Sequence, residues 1–338
     1  MSRARIPFIC PPLREQTISV LHECGAKIRA LEPFGAEVTG LNLRDPLDGV
    51  TVTTLQHEMS LRGFVCFRQQ GVLTAEEQVS ASKLWGGKEI HTTHSNHFAS
   101  PHPDVFRLSN DPLHGIPDVG PQWHNDGSFL PRVFSHVGYH IVSVPAKGGN
   151  TEFSHLGGAY DRLSPGEQER WSRIVSVNAT SGVVHPLVHI HPISKRQVCF
   201  LHLGMTGAAI EIVHGILQVE SIDDLHCLDD AELTSLMKRY NEVLGDRDIT
   251  YSHQYQEGDL IVIDNLAVAH RATPEAHLPA NTQGLRILHR TTVKGMVNLG
   301  PDPKFALPPI IHGNPFPKGA WVIGGLGFRW DDSIRIRN

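Results

Sequence analysis

No apolar run in this 338-residue chain reaches the roughly 18 residues that a membrane-spanning helix requires. The opening stretch, MSRARIPFICPPLREQT, is broken by prolines before a signal-peptide hydrophobic region can form. Long blocks of Lys and Arg are missing too, and the formal net charge is −5. Nucleic acid and an anionic membrane surface are therefore not expected as partners. Cysteine is scarce and unpaired along the chain, with five residues at Cys10, Cys24, Cys66, Cys199 and Cys227. An odd number without close spacing fits reduced thiols and a cytoplasmic location. None stands in a Cys-x-x-Cys pair, which argues against a zinc site built from cysteines. Internal repeats and low-complexity tracts are also lacking.

What is abundant is histidine, at 22 residues. That eases construction of a metal site and equally raises the number of histidine motifs that arise by accident. Hydrophobic residues at 40% and charged residues at 19% leave ample material for a core. Residues 26–43 alternate and carry turn glycine, and they read as two short strands. Residues 51–63 have helical spacing through Leu55, Met59 and Leu61 and stop at Gly63, before a buried strand at 64–67. Thr74 with Glu77 three residues on is a capping-box signature for a helix over 73–86. From residue 103 onward, short apolar runs such as VFRLS, HVGYHIVSV, DLIVID and LRILHRTTV alternate with Gly, Pro and Asn. Helices are expected to interrupt them at 157–172 and 228–244. Many short strands with turn signals favour a sandwich or barrel. The expectation is a mixed β/α fold, one domain over 1–338 with a jelly-roll-like β core, peripheral helices and a Gly/Pro-rich wrap over 295–338.

In QWHNDGSF (122–129), His124 and Asp126 stand two residues apart, flanked by Trp123 and Phe129 as candidate core anchors. A strand projects residues i and i+2 from one face. The pair can thus address a divalent metal ion or simply hydrogen-bond to each other. A second copy of the spacing, His102 and Asp104, straddles Pro103 in a loop, without a sheet to hold it. In QEGDLIVIDNLAVAHRA (256–272), an apolar strand breaks at Asp264 and Asn265, and His270 follows. By default a histidine at a sheet edge is a hydrogen-bonded surface or core residue. Joined to His124 and Asp126, it completes a two-histidine, one-carboxylate set. Such a set leaves open positions on one side of a metal and marks non-haem Fe(II) oxygenases. In LRILHR (285–290), Arg286 and Arg290 share one strand parity. They are either solvated or met by anions, since burying unpaired guanidinium is costly. A planar guanidinium suits a bidentate carboxylate clamp. Which face of that strand points inward stays open at this stage.

The ordered motifs WHNDGSF, KGGNTEF, DNLAVAHRA and RILHR resemble the TauD/TfdA family of Fe(II)- and 2-oxoglutarate-dependent dioxygenases. The resemblance extends from about residue 26 through RGFVCFRQQGVLTAEEQ to about residue 294. It implies a double-stranded β-helix, a jelly-roll variant. It further implies Fe(II) ligation by His124, Asp126 and His270, with 2-oxoglutarate as cosubstrate and O2 as oxidant. Arg286 and the Thr151 hydroxyl would bind the distal carboxylate of 2-oxoglutarate. Arg290 matches the family's substrate-anion arginine, and His91 matches a histidine that reaches substrate in taurine-type members. His94 is a candidate substrate residue where that subgroup has tyrosine, and Gly120 stands in place of asparagine. Those departures count against taurine itself. The implied reaction is oxidation of a small anionic organic substrate, such as a sulfonate, carboxylate or amino-acid-like compound, with release of succinate and CO2. Members often form dimers or tetramers, which leaves a homo-oligomer open. A similar HP…HP stretch in the family binds no metal, so His185, His189 and His191 are not expected to be metal ligands, and a place for some of them at the active-site mouth stays open. Two rival classes remain. A Zn(II) hydrolase on the same ligands gives no role to Thr151, Arg286 or Arg290. A non-catalytic β-barrel binding an organic acid would leave the histidines structural.

Overall fold

The computed structural model describes residues 8–93, 96–145, 147–212 and 225–299, and the backbone of 322–323 and 328–329. The chain forms two compact units. The first comprises Met1–Pro121, Phe134–His155 and Asp246–Met296; the second comprises Gln122–Val133, Leu156–Gly245 and Val297–Asn338.

In the first unit, a seven-stranded sheet runs in the order Lys27–Ala30, Ala36–Thr39, Phe64–Phe67, Leu260–Asp264, His136–Ser143, Ile287–Val293 and Phe106–Ser109. The pairs are antiparallel except Ala36–Thr39 with Phe64–Phe67, which is parallel. The central strand Leu260–Asp264 is buried along its whole length, as its apolar run from Leu260 to Ile263 requires. One face of the sheet, through Val65, Phe67, Leu260 and Val262, packs on Leu21, Leu55, Met59 and Ala81. Those side chains come from the helices Glu15–Glu23, Gly49–Arg62 and Ala75–Ser82. The other face, through Phe64, Cys66, Tyr139, Ile261 and Ile263, meets Phe153, Val268 and Tyr251. These belong to a three-stranded sheet of Thr250–His253, Thr151–His155 and Val268–Ala272. The unit is thus helices on a sheet on a sheet. Each Leu, Phe or Met removed from water in it contributes about 1.5–3 kcal/mol.

Local chemistry sets the helix ends. Asp48 accepts from the backbone N–H groups of Val50 and Thr51. The same helix stops at Gly63, whose φ of 81° suits glycine and where a Cβ would lie 2.1 Å from Val268 Cγ1. The Thr74–Glu77 capping box is present, but that helix ends at Ser82 and not at Gly86. Gly86 instead donates its N–H to Gln56 Oε1. Helix Glu15–Glu23 gave no capping signal in the sequence. Tertiary bonds anchor it, from Arg14 Nε and Thr17 Oγ1 to the fully buried Glu58.

The second unit has a four-stranded sheet ordered Leu225–Cys227, Thr206–Ile212, Ile174–Asn178 and Val184–Pro186. A hairpin of Val188–Ile190 with Gln197–Cys199 accompanies it. The single helix expected over 157–172 is two helices, Leu156–Asp161 and Pro165–Trp171. Pro165 cannot continue a preceding helix but fits the first turn of a new one, which Ser164 and Glu167 cap reciprocally. Asp230–Leu244 forms as expected, capped by Asp229 and Glu232. The wrap expected over 295–338 falls mostly outside the described residues. Among the described residues no helix is long and apolar enough to cross a membrane.

Candidate active site

Strand register in the first unit places one set of candidate residues. His270 lies opposite Phe153, and Ala272 lies opposite Thr151, so His270 and Thr151 share a face of the three-stranded sheet. On the facing sheet, Arg290 lies opposite both Tyr139 and Phe106. Tyr139 Oη is 2.7 Å from His270 Nε2, a bond that ties the two sheets and fixes the plane of the imidazole. Arg290 therefore sits on the Tyr139 face, which settles the inward direction that its sequence left open. His289 and His140 point the other way, where His140 Nε2 accepts from the Leu73 N–H beside the helices.

Arg286 precedes the strand Ile287–Val293, and a register shift between Ile287 and Leu288 means that parity alone does not place it. Its Nε donates to the Gly149 carbonyl at 2.8 Å, and its guanidinium lies 6.0 Å from the Tyr255 ring centre. Its backbone N–H donates to Asn110 Oδ1. The residue is 8% exposed, and among the described residues no carboxylate pairs with it. Burial lowers its pKa, but a guanidinium stays charged at neutral pH. A buried cation without a counter-charge is expensive, so the position is built to receive an anion. Gly149, at φ 74°, makes the approach possible, since a Cβ there would lie 3.2 Å from Arg286 Cδ.

Thr151 completes this corner. Tyr255 Oη donates to Thr151 Oγ1 at 2.7 Å, which leaves the threonine's own proton free to donate onward. Burial raises the Tyr255 hydroxyl to about 12, so it remains a donor at neutral pH. His91 donates its backbone N–H to Thr292, and its ring lies 4.8 Å from that of Phe134. The Arg290 guanidinium stacks 4.6 Å from the Phe106 ring centre. His94 lies outside the described residues.

The second unit carries His124 and Asp126. Contrary to expectation they are not on an extended strand. Gly127, at φ 85°, turns the chain directly after Asp126, and Leu130 N–H closes the turn on the Gly127 carbonyl. The segment is held from several sides. Leu203 N–H donates to the Trp123 carbonyl, Asn178 Nδ2 donates to Ser128 Oγ, and His185 Nε2 meets the Ser128 carbonyl. His124 Nδ1 is 2.7 Å from the Gln122 carbonyl. A carbonyl only accepts, so Nδ1 carries the proton and Nε2 keeps its lone pair, the tautomer a metal requires. The His202 ring lies 5.1 Å from that of His124, and burial drives its pKa down to about 3.

The other histidine motifs have local roles. Asp104 N–H donates to His102 Nδ1, and Thr92 Oγ1 donates to Asp104. His191 Nδ1 accepts from the N–H groups of Ile193 and Ser194, as a turn cap. Sequence reasoning missed Tyr139, Tyr255 and Asn110. Tyr139 has a strand parity that marks it as sheet core, and nothing in one sequence shows that its hydroxyl meets His270. Tyr255 stands just before the EGD turn, where its aromatic ring reads only as core.

The family described as taurine catabolism dioxygenase TauD, TfdA matches residues 27–292. The chain is similar to the alpha-ketoglutarate-dependent 2,4-dichlorophenoxyacetate dioxygenase of Cupriavidus pinatubonensis, at 26% identity over 70% of this chain and 88% of that protein. It is 25% identical to the alpha-ketoglutarate-dependent sulfate ester dioxygenase of Pseudomonas putida, over 80% of this chain and 89% of the other. Among solved structures, a taurine dioxygenase from Burkholderia xenovorans superposes with a TM-score of 0.64 at 23% identity, covering 82% of this chain and 93% of that one. The structure of AAD-2 in complex with Mn(II) and N-oxalylglycine gives a TM-score of 0.62 at 22% identity, covering 81% of this chain and 99% of that one.

Proposed function

Because the chain belongs to the TauD/TfdA dioxygenase family, we propose that it oxidises a small anionic organic substrate using Fe(II), 2-oxoglutarate and O2. The reading takes the whole chain as one dioxygenase domain with a double-stranded β-helix core. The observation that carries it is Arg286, a buried guanidinium with no carboxylate partner among the described residues, beside a threonine hydroxyl whose proton is free. A dicarboxylic oxo acid supplies the missing anion there. In this reading the distal carboxylate of 2-oxoglutarate pairs with Arg286 and accepts from Thr151, and its oxo-acid end reaches the metal.

His124, Asp126 and His270 are the proposed iron ligands; all three are buried, and each offers one ligand atom. The residues present fit a ferrous ion, since a carbonyl holds the His124 proton on Nδ1 and Tyr139 fixes the His270 ring. When bound, iron with 2-oxoglutarate and O2 supplies the oxidising chemistry, with succinate and CO2 as coproducts. The chain's own part is orientation. Arg286 and Thr151 fix the cosubstrate before reaction, and Arg290 and His91 take the substrate's anionic end. Relatives named for a phenoxyacetate and a sulfate ester act on anions, which suits an arginine stacked on Phe106. A sulfonate, sulfate ester, carboxylate or amino-acid-like compound is the proposed substrate class.

Anaerobic addition of Fe(II) and 2-oxoglutarate is the direct test. A weak visible charge-transfer band is expected, followed in air by substrate-dependent succinate release across a panel of sulfonates, sulfate esters, carboxylates and amino acids. Binding of 2-oxoglutarate without the band would favour a non-catalytic organic-acid carrier.

A further inference from the structure

A second group of ligating side chains lies within the first unit, apart from the residues assigned above. Cys66, His253 and Asp259 come from three separate stretches of chain, yet their ligand atoms lie within 4.8 Å of one another. We propose that these three residues form a second metal site, which takes a zinc-type divalent cation through one sulfur, one nitrogen and one oxygen.

The strand register shows how the site is assembled. Cys66 lies opposite Ile261 on the seven-stranded sheet, with its side chain in the core that this sheet shares with the three-stranded one. His253 lies opposite Thr151 on the three-stranded sheet, and the rings of Phe64, Tyr251 and Tyr255 surround it. Asp259 leads into the strand Leu260–Asp264. All three are buried, at 0%, 0% and 1% exposure.

His253 is the independent observation. Neither of its ring nitrogens has a hydrogen-bond partner among the described residues, although the residue is fully enclosed. Buried polar groups in folded proteins are nearly always satisfied, and one that is not calls for an ion, a water or a functional reason. Cys66 does not satisfy it, because no thiol–imidazole hydrogen bond forms between them. Asp259 is held by Arg68 Nη1 and by the Gln256 N–H, both at Oδ2, so Oδ1 keeps its lone pairs. Burial raises the Cys66 thiol and lowers the His253 imidazole, to about 3 for the latter, so both are neutral without an ion.

Charge and donor type point to the same class of cation. Binding releases one proton: the Cys66 S–H bond breaks, a sulfur–metal bond forms, and the proton leaves to solvent. The thiolate and the Asp259 carboxylate then offset the two positive charges, while Arg68 stays paired with Glu37. A mixed sulfur, nitrogen and oxygen set suits zinc or cobalt and disfavours magnesium and calcium. The ion would brace both sheets beside Tyr255, two residues from His253, whose hydroxyl supports Thr151.

Cobalt distinguishes this site from the proposed iron site, because only this one contains sulfur. The full chain, produced with Co(II) in place of iron and zinc, is expected to show an intense near-ultraviolet thiolate-to-cobalt band. His270→Ala, which removes a proposed iron ligand, should keep that band. Cys66→Ser should lose it together with one bound ion per chain. X-ray absorption on the zinc-loaded wild-type chain needs no variant, and one sulfur at about 2.3 Å is expected. A soluble, folded wild-type chain with only nitrogen and oxygen neighbours around zinc, and no sulfur band with cobalt, would overturn the proposal.

Discussion

Replacing Arg286 by Ala tests the central assignment most directly. The side chain is buried, its Nε is spent on the Gly149 carbonyl, and its remaining N–H groups face no carboxylate among the described residues. If they hold the distal carboxylate of 2-oxoglutarate, the substitution removes a charge-assisted hydrogen bond of about 1.5–3 kcal/mol. At about 1.4 kcal/mol per factor of ten, the 2-oxoglutarate concentration for half-maximal succinate release should rise roughly 10- to 100-fold. Stability should separate this effect from simple misfolding. The cosubstrate-free protein already carries the cost of a buried cation, so removing that cation should leave its melting temperature level or higher, less about 1 kcal/mol for the stranded Gly149 carbonyl. Saturating 2-oxoglutarate with Mn(II) should stabilise the wild type by about 2.7 kcal/mol at a hundred times Kd and the variant by far less. An unchanged half-saturation concentration would refute the reasoning, and so would equal stabilisation of both proteins.

The other expectations can be checked alongside. His270→Ala should abolish iron binding and succinate release while near-ultraviolet circular dichroism stays native; retained turnover would remove this residue from the ligand set. Tyr255→Phe deletes only the hydroxyl donating to Thr151, so the 2-oxoglutarate requirement should rise about fivefold, for a net hydrogen bond of about 1 kcal/mol. For Arg290→Ala, 2-oxoglutarate consumption without substrate should persist while coupled substrate oxidation falls at least tenfold, and equal loss of both would contradict a substrate role. Acid should destabilise the fold. Burial holds His140 and His185 at about 4 and His289 at about 3, below the ordinary 6.5. Their folded forms stay neutral while the unfolded chain takes up protons below 6.5, so stability is full above that pH and is lost as the pH falls towards 4. At pH 5.5 the three together should cost about 4 kcal/mol relative to pH 7.5, read as a lower urea midpoint, and an unmoved midpoint would show that they titrate normally.

Much of the local structure could be read directly from the chain. The Thr74–Glu77 box, the Gly63 stop and the apolar run from Leu260 to Ile263 are short-range signals, because caps, turns and strand burial depend on residues a few positions apart. Membership of the family was legible for a related reason, since four short motifs in a fixed order are hard to produce by accident. What the chain alone did not determine depends on partners far away in sequence. Pro165 opened a second helix where one was expected, and Gly127 turned the His124–Asp126 segment out of strand geometry. Parity could not say which face of the Arg290 strand looks inward; pairing with Tyr139, 151 positions earlier on another strand, did. The tyrosine hydroxyls on His270 and Thr151, the unsatisfied His253 and the solitary charge of Arg286 share that origin. Burial and hydrogen bonding are properties of packed sheets, and a residue's chemistry changes with them while its letter in the sequence does not.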